Sequence, residues 1–99
     1  MFSTTDPLGR TIHLTDRCYE FHILVEHPDM ADPNEIERSI HLADWITQDA
    51  VDSDRTVYYR TYQRRPQRWL IKVVVEKSEV ITAYRVKRTK QEEIVLWQR

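Results

Sequence analysis

The sequence predicts an α+β domain: two N-terminal helices packed on a three- to five-stranded antiparallel sheet. Three observations carry that expectation. Apolar residues recur at helical spacing between Asp16 and Glu26, a strong helix-start signal stands at Asp32-Pro33-Asn34-Glu35, and β-rich runs fill the chain from Ile46 onward.

Residues 1–10 contain Pro7 and Gly9 and read as a flexible lead-in, with residues 11–99 as a single folded domain. Thr11-Ile12-His13-Leu14-Thr15 alternates apolar with polar, the pattern of a short strand. Asp16 is placed to cap a helix running to about Glu26, on which Cys18, Phe21, Leu24 and Val25 form an apolar stripe. Pro28 disfavours helical geometry at His27 and ends it. The second helix has an acidic cap at Asp32, proline at its first position and Glu35 at its third. It is expected to run from Pro33 to about Trp45, with Ile36, Ile40, Ala43 and Leu42 or Ile46 facing the core. Thr56–Gln63 is rich in Tyr, Thr and Val, and Trp69–Glu76 is nearly continuous apolar sequence, as a strand buried on both faces requires. Lys77-Ser78 makes a turn, Glu79–Arg88 returns, and Glu93–Gln98 can add an edge strand.

The 99 residues suffice for one core. No stretch approaches the roughly 18–20 apolar residues of a membrane-spanning helix. The first residues lack a basic and then apolar leader pattern, and Cys18 is the only cysteine, so a cytoplasmic protein without disulfides or membrane partners is expected. Gly9 is the only glycine, which removes glycine-rich phosphate loops and the dinucleotide fingerprint; no cofactor is expected.

Charge is divided along the chain. Residues 1–54 hold 12 Asp/Glu and 3 Lys/Arg, whereas residues 55–99 hold 12 Lys/Arg and 4 Asp/Glu. The basic half interleaves its cations with Tyr58, Tyr59, Tyr62, Trp69 and Tyr84. Cations neutralise phosphates and rings accept unstacked bases, so this half has the composition of an RNA-handling surface. The plainer reading is a solvated sheet edge guarded by charge.

His22 lies about 40° around the first helix from Cys18, a border position from which an imidazole can reach a cleft and transfer protons near neutral pH. Its structural alternative is a half-buried, hydrogen-bonded histidine. His27, where the chain unwinds before Pro28, is either a second acid/base group or a C-terminal cap. His13 and His41 have no spacing that builds a metal site, and none is expected. Strand alternation puts Tyr58, Arg60 and Tyr62 on one face, and Val80, Thr82, Tyr84 and Val86 on one side of the later strand. Lys72 interrupts an apolar series and either snorkels to an edge or faces a polar cleft.

In order, Tyr19-Glu20-Phe21-His22-Ile23, His27-Pro28-Asp29, Lys72-Val73-Val74-Val75 and Val80-Ile81-Thr82-Ala83-Tyr84 resemble the small nucleases of the barnase–EndoU–colicin–RelE (BECR) superfamily, especially its phage-type branch, over roughly residues 11–86. The resemblance implies a metal-independent endoribonuclease that directs the RNA 2′-OH at phosphorus to leave a 2′,3′-cyclic phosphate. It also implies a toxin-like protein paired with an inhibitor protein or antitoxin. By matching position, His22 and His27 are the helix histidines, and Thr82 and Tyr84 line the site on the sheet. Arg60 and Lys72 join them because the reaction needs cations. The chain departs from the pattern in opening with Tyr19 rather than Trp and in its acidic N-terminal half. The competing expectation is a non-catalytic module that binds nucleic acid or protein through the basic aromatic sheet. The opposed charge halves also allow a homodimer.

Overall fold

A computed structural model describes the chain except Arg65, Pro66 and Gln91, and gives the backbone alone for Gln63, Arg64 and Gln67. One sheet contains β1 (Phe2–Thr5), β2 (Thr11–Leu14), β3 (Trp45–Gln48), β4 (Arg55–Arg64), β5 (Gln67–Glu76), β6 (Glu79–Val86) and β7 (Ile94–Gln98). Their spatial order is β1-β2-β6-β5-β4-β3-β7, and the sheet curls into a half-barrel. Neighbours are antiparallel except β2 and β6, which meet in parallel at His13 and Glu79.

This corrects the predicted architecture: the protein is mostly a seven-stranded mixed sheet with two short helical segments, not two helices on a three- to five-stranded antiparallel sheet. Two local events produce the difference. Phe2–Thr5, within the expected lead-in, pairs with β2 across a turn in which Gly9 takes φ 84°. That turn is held by Asp6, whose carboxylate accepts the Leu8 and Arg10 amides. The second helix stops at His41 rather than near Trp45. Asp44 then docks the chain on the sheet: its amide donates to the Tyr59 carbonyl and its carboxylate accepts the Thr61 amide at 2.7 Å, so Trp45 begins a strand.

The second helix, Pro33–His41, starts as its sequence dictates. The Asp32 side chain accepts the Asn34 amide, Pro33 opens the first turn, and Ile36 and Ile40 are fully buried. In the first helical segment Thr15, not Asp16, is the cap, its hydroxyl accepting the Cys18 amide. α-Helical Asp16–Cys18 passes into a π-helical turn, Tyr19–Ile23, in which the Leu24 amide donates to the Tyr19 carbonyl five residues back; α-helical Leu24–Glu26 follows. The phase of this segment is set by Tyr19 and Ile23, which are buried, the Tyr19 hydroxyl donating to the Met30 carbonyl at 2.9 Å. Phe21 and Val25, expected in the apolar stripe, are therefore 73% and 69% exposed, while Cys18 and Leu24 pack partly against the core.

Both helical segments cover one face of the sheet. Tyr58, Ile71, Val73, Val75, Val80 and Ala83 meet Tyr19, Ile23, Ile36 and Ile40 there in the main core. Val80 joins this side because a bulge in the β5–β6 pairing inserts Ile81, with Val75 opposite Val80 but Val74 opposite Thr82. The expected shared side of Val80, Thr82 and Tyr84 is thereby broken: Val80 turns to the helices, and Thr82 and Tyr84 to the other face. That other face has a smaller core of Val57, Tyr59 and Leu70 with Trp45 and Val86 against it. The connection from β6 to β7 crosses this second face, its Lys90 and Glu93 meeting the Tyr59 hydroxyl there. No helix among the described residues is long and apolar enough to cross a membrane.

Candidate nucleic-acid interface

Register builds the second face. Lys72 on β5 stands directly opposite Tyr59 on β4 and Tyr84 on β6, so the three side chains share that side. The Lys72 Nζ lies 5.6 Å from the Tyr59 ring centroid and 5.7 Å from that of Tyr84, within cation–π reach. Glu93, from the crossing segment, closes over it. Its Oε2 is 3.8 Å from the Lys72 Nζ, and its Oε1 accepts a hydrogen bond from the Tyr59 hydroxyl. The side chains of Lys72 and Glu93 are only 12% and 2% exposed. Burial, reinforced by the bond to Glu93, pushes the Tyr59 hydroxyl well above the ordinary tyrosine range, so it acts as a neutral donor. The Lys90 amide donates back to the same hydroxyl oxygen at 3.3 Å.

Beside this cluster, His27 leaves the first helical segment with non-helical φ −133° and ψ 72°, its amide still bonded to the Ile23 carbonyl at 2.7 Å. Its ring stacks on Tyr84 with centroids 4.9 Å apart and planes inclined by 23°. Asp29, two residues on, approaches Arg85 at 3.7 Å, so the loop after the helix is tied to two successive residues of β6. Thr82 is two residues from Tyr84 on the same face, and its Oγ1 is buried without a hydrogen-bond partner.

The structure thus brings four of the six sequence-predicted residues to one region: Lys72, Tyr84, His27 and Thr82. His22 stands apart on the exposed side of its helix, 45% exposed, with its Nε2 3.7 Å from Glu26. Arg60 projects to the helix-covered face opposite Ile71. There it is bound by Glu35 and donates from Nε to the Ser39 hydroxyl at 3.2 Å, which joins the second helix to β4.

Between the sheet and the crossing segment lies a cleft of about 580 Å³ whose wall includes Trp45, Leu70, Arg68, Lys87, Arg88 and Lys90. Lys87 also places its Nζ 5.4 Å from the Trp69 ring centroid. Glu93 lines the cleft from inside while engaged with Lys72 and Tyr59. Arg68, Lys87, Arg88, Lys90, Trp45 and Glu93 were absent from the sequence-predicted set. One signal for them exists in the sequence: Arg68, Leu70 and Lys72 alternate on one face of β5, placing two cations on the side away from the apolar residues at 71, 73 and 75. Nothing local reveals that Lys87, Arg88, Lys90 and Glu93 come to that face. Among the described residues, no three His, Cys, Asp or Glu side chains gather to hold a metal ion.

The arrangement can hold an extended anion along four cations, receive a flat group against an indole, and present an imidazole and an ammonium beside a tyrosine. No protein-family model matches the chain, and neither a curated protein nor a solved structure matches it.

Proposed function

We propose that the protein binds single-stranded RNA in the cleft between the sheet and the connection that carries Lys87, Arg88, Lys90 and Glu93. The observation that carries this reading is the convergence of Arg68, Lys87, Arg88 and Lys90 around a hollow that also exposes Trp45. Four cations spaced along one groove suit a phosphodiester backbone, and an indole accepts a base only when that base is free of a duplex. The acidic helices lie on the opposite face, so repulsion there favours entry of a polyanion from the cleft side. If the cations neutralise three or four phosphates, log K falls with log salt at a slope of about −2 to −3. Fluorescence anisotropy with a labelled oligouridylate over a sodium chloride series tests this. Lys87→Ala with Arg88→Ala should weaken binding and flatten the slope by about one to one and a half; equal affinity and slope for the double variant and the unmutated chain would refute the proposal.

The stacking of His27 on Tyr84 beside Lys72 favours a second reading, cleavage of the bound strand. The 2′-oxygen attacks the adjacent phosphorus, the bond to the 5′-oxygen breaks, and a 2′,3′-cyclic phosphate and a 5′-hydroxyl result. His27 takes the 2′-OH proton and returns it to the leaving oxygen, and Lys72 offsets charge on the phosphorane; Thr82, its hydroxyl buried, supports the strand beside Tyr84. RNA incubated with the protein in EDTA should acquire cyclic-phosphate ends with the unmutated chain and not with His27→Ala. Intact RNA with both leaves the binding reading alone.

A further inference from the structure

Among the described residues Glu93 is the one acidic side chain lining the basic cleft, and it is inserted rather than solvated. Its carboxylate meets two donors that the sheet supplies independently of the crossing segment: the Lys72 ammonium and the Tyr59 hydroxyl. The ammonium contact is loose. At 3.8 Å it exceeds the roughly 2.7–2.9 Å of a charge-assisted hydrogen bond, so Lys72 retains donors for another oxygen anion. The two rings flanking Lys72, Tyr59 and Tyr84, belong to the sheet and not to the crossing segment. Glu93 also sits at the end of the segment that carries Lys87, Arg88 and Lys90, so any polyanion gathered by those cations arrives beside the carboxylate.

We propose that Lys72 and the Tyr59 hydroxyl form an anion seat that Glu93 fills in the free protein and that a phosphate of the bound strand fills in its place. The inference rests on the cleft taking a nucleic-acid strand, as proposed above. Exchange is feasible because Lys72 is never left buried and unpaired: one oxyanion leaves as another enters, and the expelled carboxylate regains water. Glu93 acts as a chain-borne competitor, which sets a threshold that free anions of low local concentration do not cross. A strand anchored on the outer cations presents its phosphate at high effective concentration and does cross it.

The test is anisotropy titration of labelled oligouridylate with the unmutated chain, Glu93→Gln, Glu92→Gln, and Glu93→Gln combined with Lys72→Met. Glutamine at 93 still accepts the Tyr59 hydrogen bond while losing the charge that holds Lys72. Glu92 is an exposed neighbour and controls for the simple removal of one negative charge. Glu93→Gln should bind about tenfold tighter, Glu92→Gln within about twofold, and the added Lys72→Met should abolish the gain. Equal gains for the two glutamine variants, or a gain that survives loss of Lys72, overturns the seat while leaving the cleft reading intact. Absence of RNA binding by the unmutated chain and every variant sinks the cleft reading itself. A second readout needs no substitution: the Glu93 side-chain carboxyl resonance, assigned through bonds in the unmutated chain, should move to the position of a solvated glutamate as oligouridylate is added. A resonance that stays in place under saturating RNA overturns the proposal.

Discussion

Replacing Tyr58 with phenylalanine removes one hydroxyl from a buried polar cluster, where it donates to the Asp6 carboxylate and accepts a longer contact from the Arg10 Nη2 at 3.4 Å. The Asp6 carboxylate is shut off from solvent and accepts four donors: the Leu8 and Arg10 amides at 3.0 and 2.8 Å on one oxygen, the Arg10 Nε at 2.9 Å and the Tyr58 hydroxyl at 2.5 Å on the other. Burial alone raises the Asp6 carboxyl, but the hydrogen bonds from Tyr58 and Arg10 outweigh it and hold the group below the usual carboxylate range. Phenylalanine keeps the packed ring and removes one donor of the four, leaving the guanidinium and both amides in place. A hydrogen bond to a charged group contributes about 1.5–3 kcal/mol, and with three donors surviving the loss belongs at the low end, about 1–2 kcal/mol. For a domain of this size that lowers the melting temperature by roughly 4–16 °C. The assay is thermal unfolding followed by circular dichroism at several pH values. Because the folded-state pKa lies below the unfolded one, the stabilisation from Asp6 is present above the ordinary carboxylate pKa and is lost as pH falls through the depressed value. The gap between Tyr58→Phe and the unmutated chain should therefore be widest at neutral pH and narrow in acid. Melting temperatures within about 2 °C of each other at pH 7, or a gap that widens in acid, would refute the reasoning.

Arg60→Met should destabilise by about 1–3 kcal/mol because it removes the ion pair to Glu35 and the hydrogen bond to Ser39 that join β4 to the second helix, leaving Glu35 to Arg38 alone, yet leave oligouridylate affinity unchanged; paired melting and anisotropy measurements check both halves. Ile40→Ala, at a fully buried site of the main core, should cost about 2–5 kcal/mol in urea unfolding. Tyr84→Leu removes the surface on which His27 stacks and should restore solvent-like chemical shifts to the His27 ring protons in NMR spectra, with unchanged shifts counting against the contact.

Legibility in the sequence followed the range of the interactions. The Asp32-Pro33 start is readable because a cap and a first-turn proline act within four residues, and β5 is readable because burial on both faces leaves an apolar run. The strand at Phe2–Thr5 is not readable, since Pro7 and Gly9 look like disorder until Asp6 collects the turn amides and β2 supplies the ladder. The chain order of elements also hides that β2 lands beside β6, a contact of residues 13 and 79. For the site, alternation groups Thr82 with Tyr84 within one strand, but alternation counts residues, and the inserted Ile81 shifts the count for Val80; that Lys72 shares their face is set by the pairing of β5 with β6. Arg60 has the chemistry of a phosphate ligand and the parity of a core strand position; tertiary pairing with Glu35 decides between them. Lys87 and Arg88 read as the end of a strand and Glu93 as the start of the next, whereas β6 ends at Val86 and β7 begins at Ile94; only the crossing of the sheet gives these residues and Lys90 a common target.

The wide turn at Tyr19–Ile23 makes the molecule sensitive to the number of residues there as well as to their kind. Excising one residue there would let an ordinary helix close, and the rest of that helical segment, Leu24 to His27, would rotate by about 100° and shift by about 1.5 Å along its axis. His27 would then swing away from Tyr84 without any change in its own identity or in that of its neighbours. A single-codon deletion in that stretch is thus a phase shift, able to uncouple the histidine from the sheet while Ile36, Ile40 and the strands beneath them keep their places.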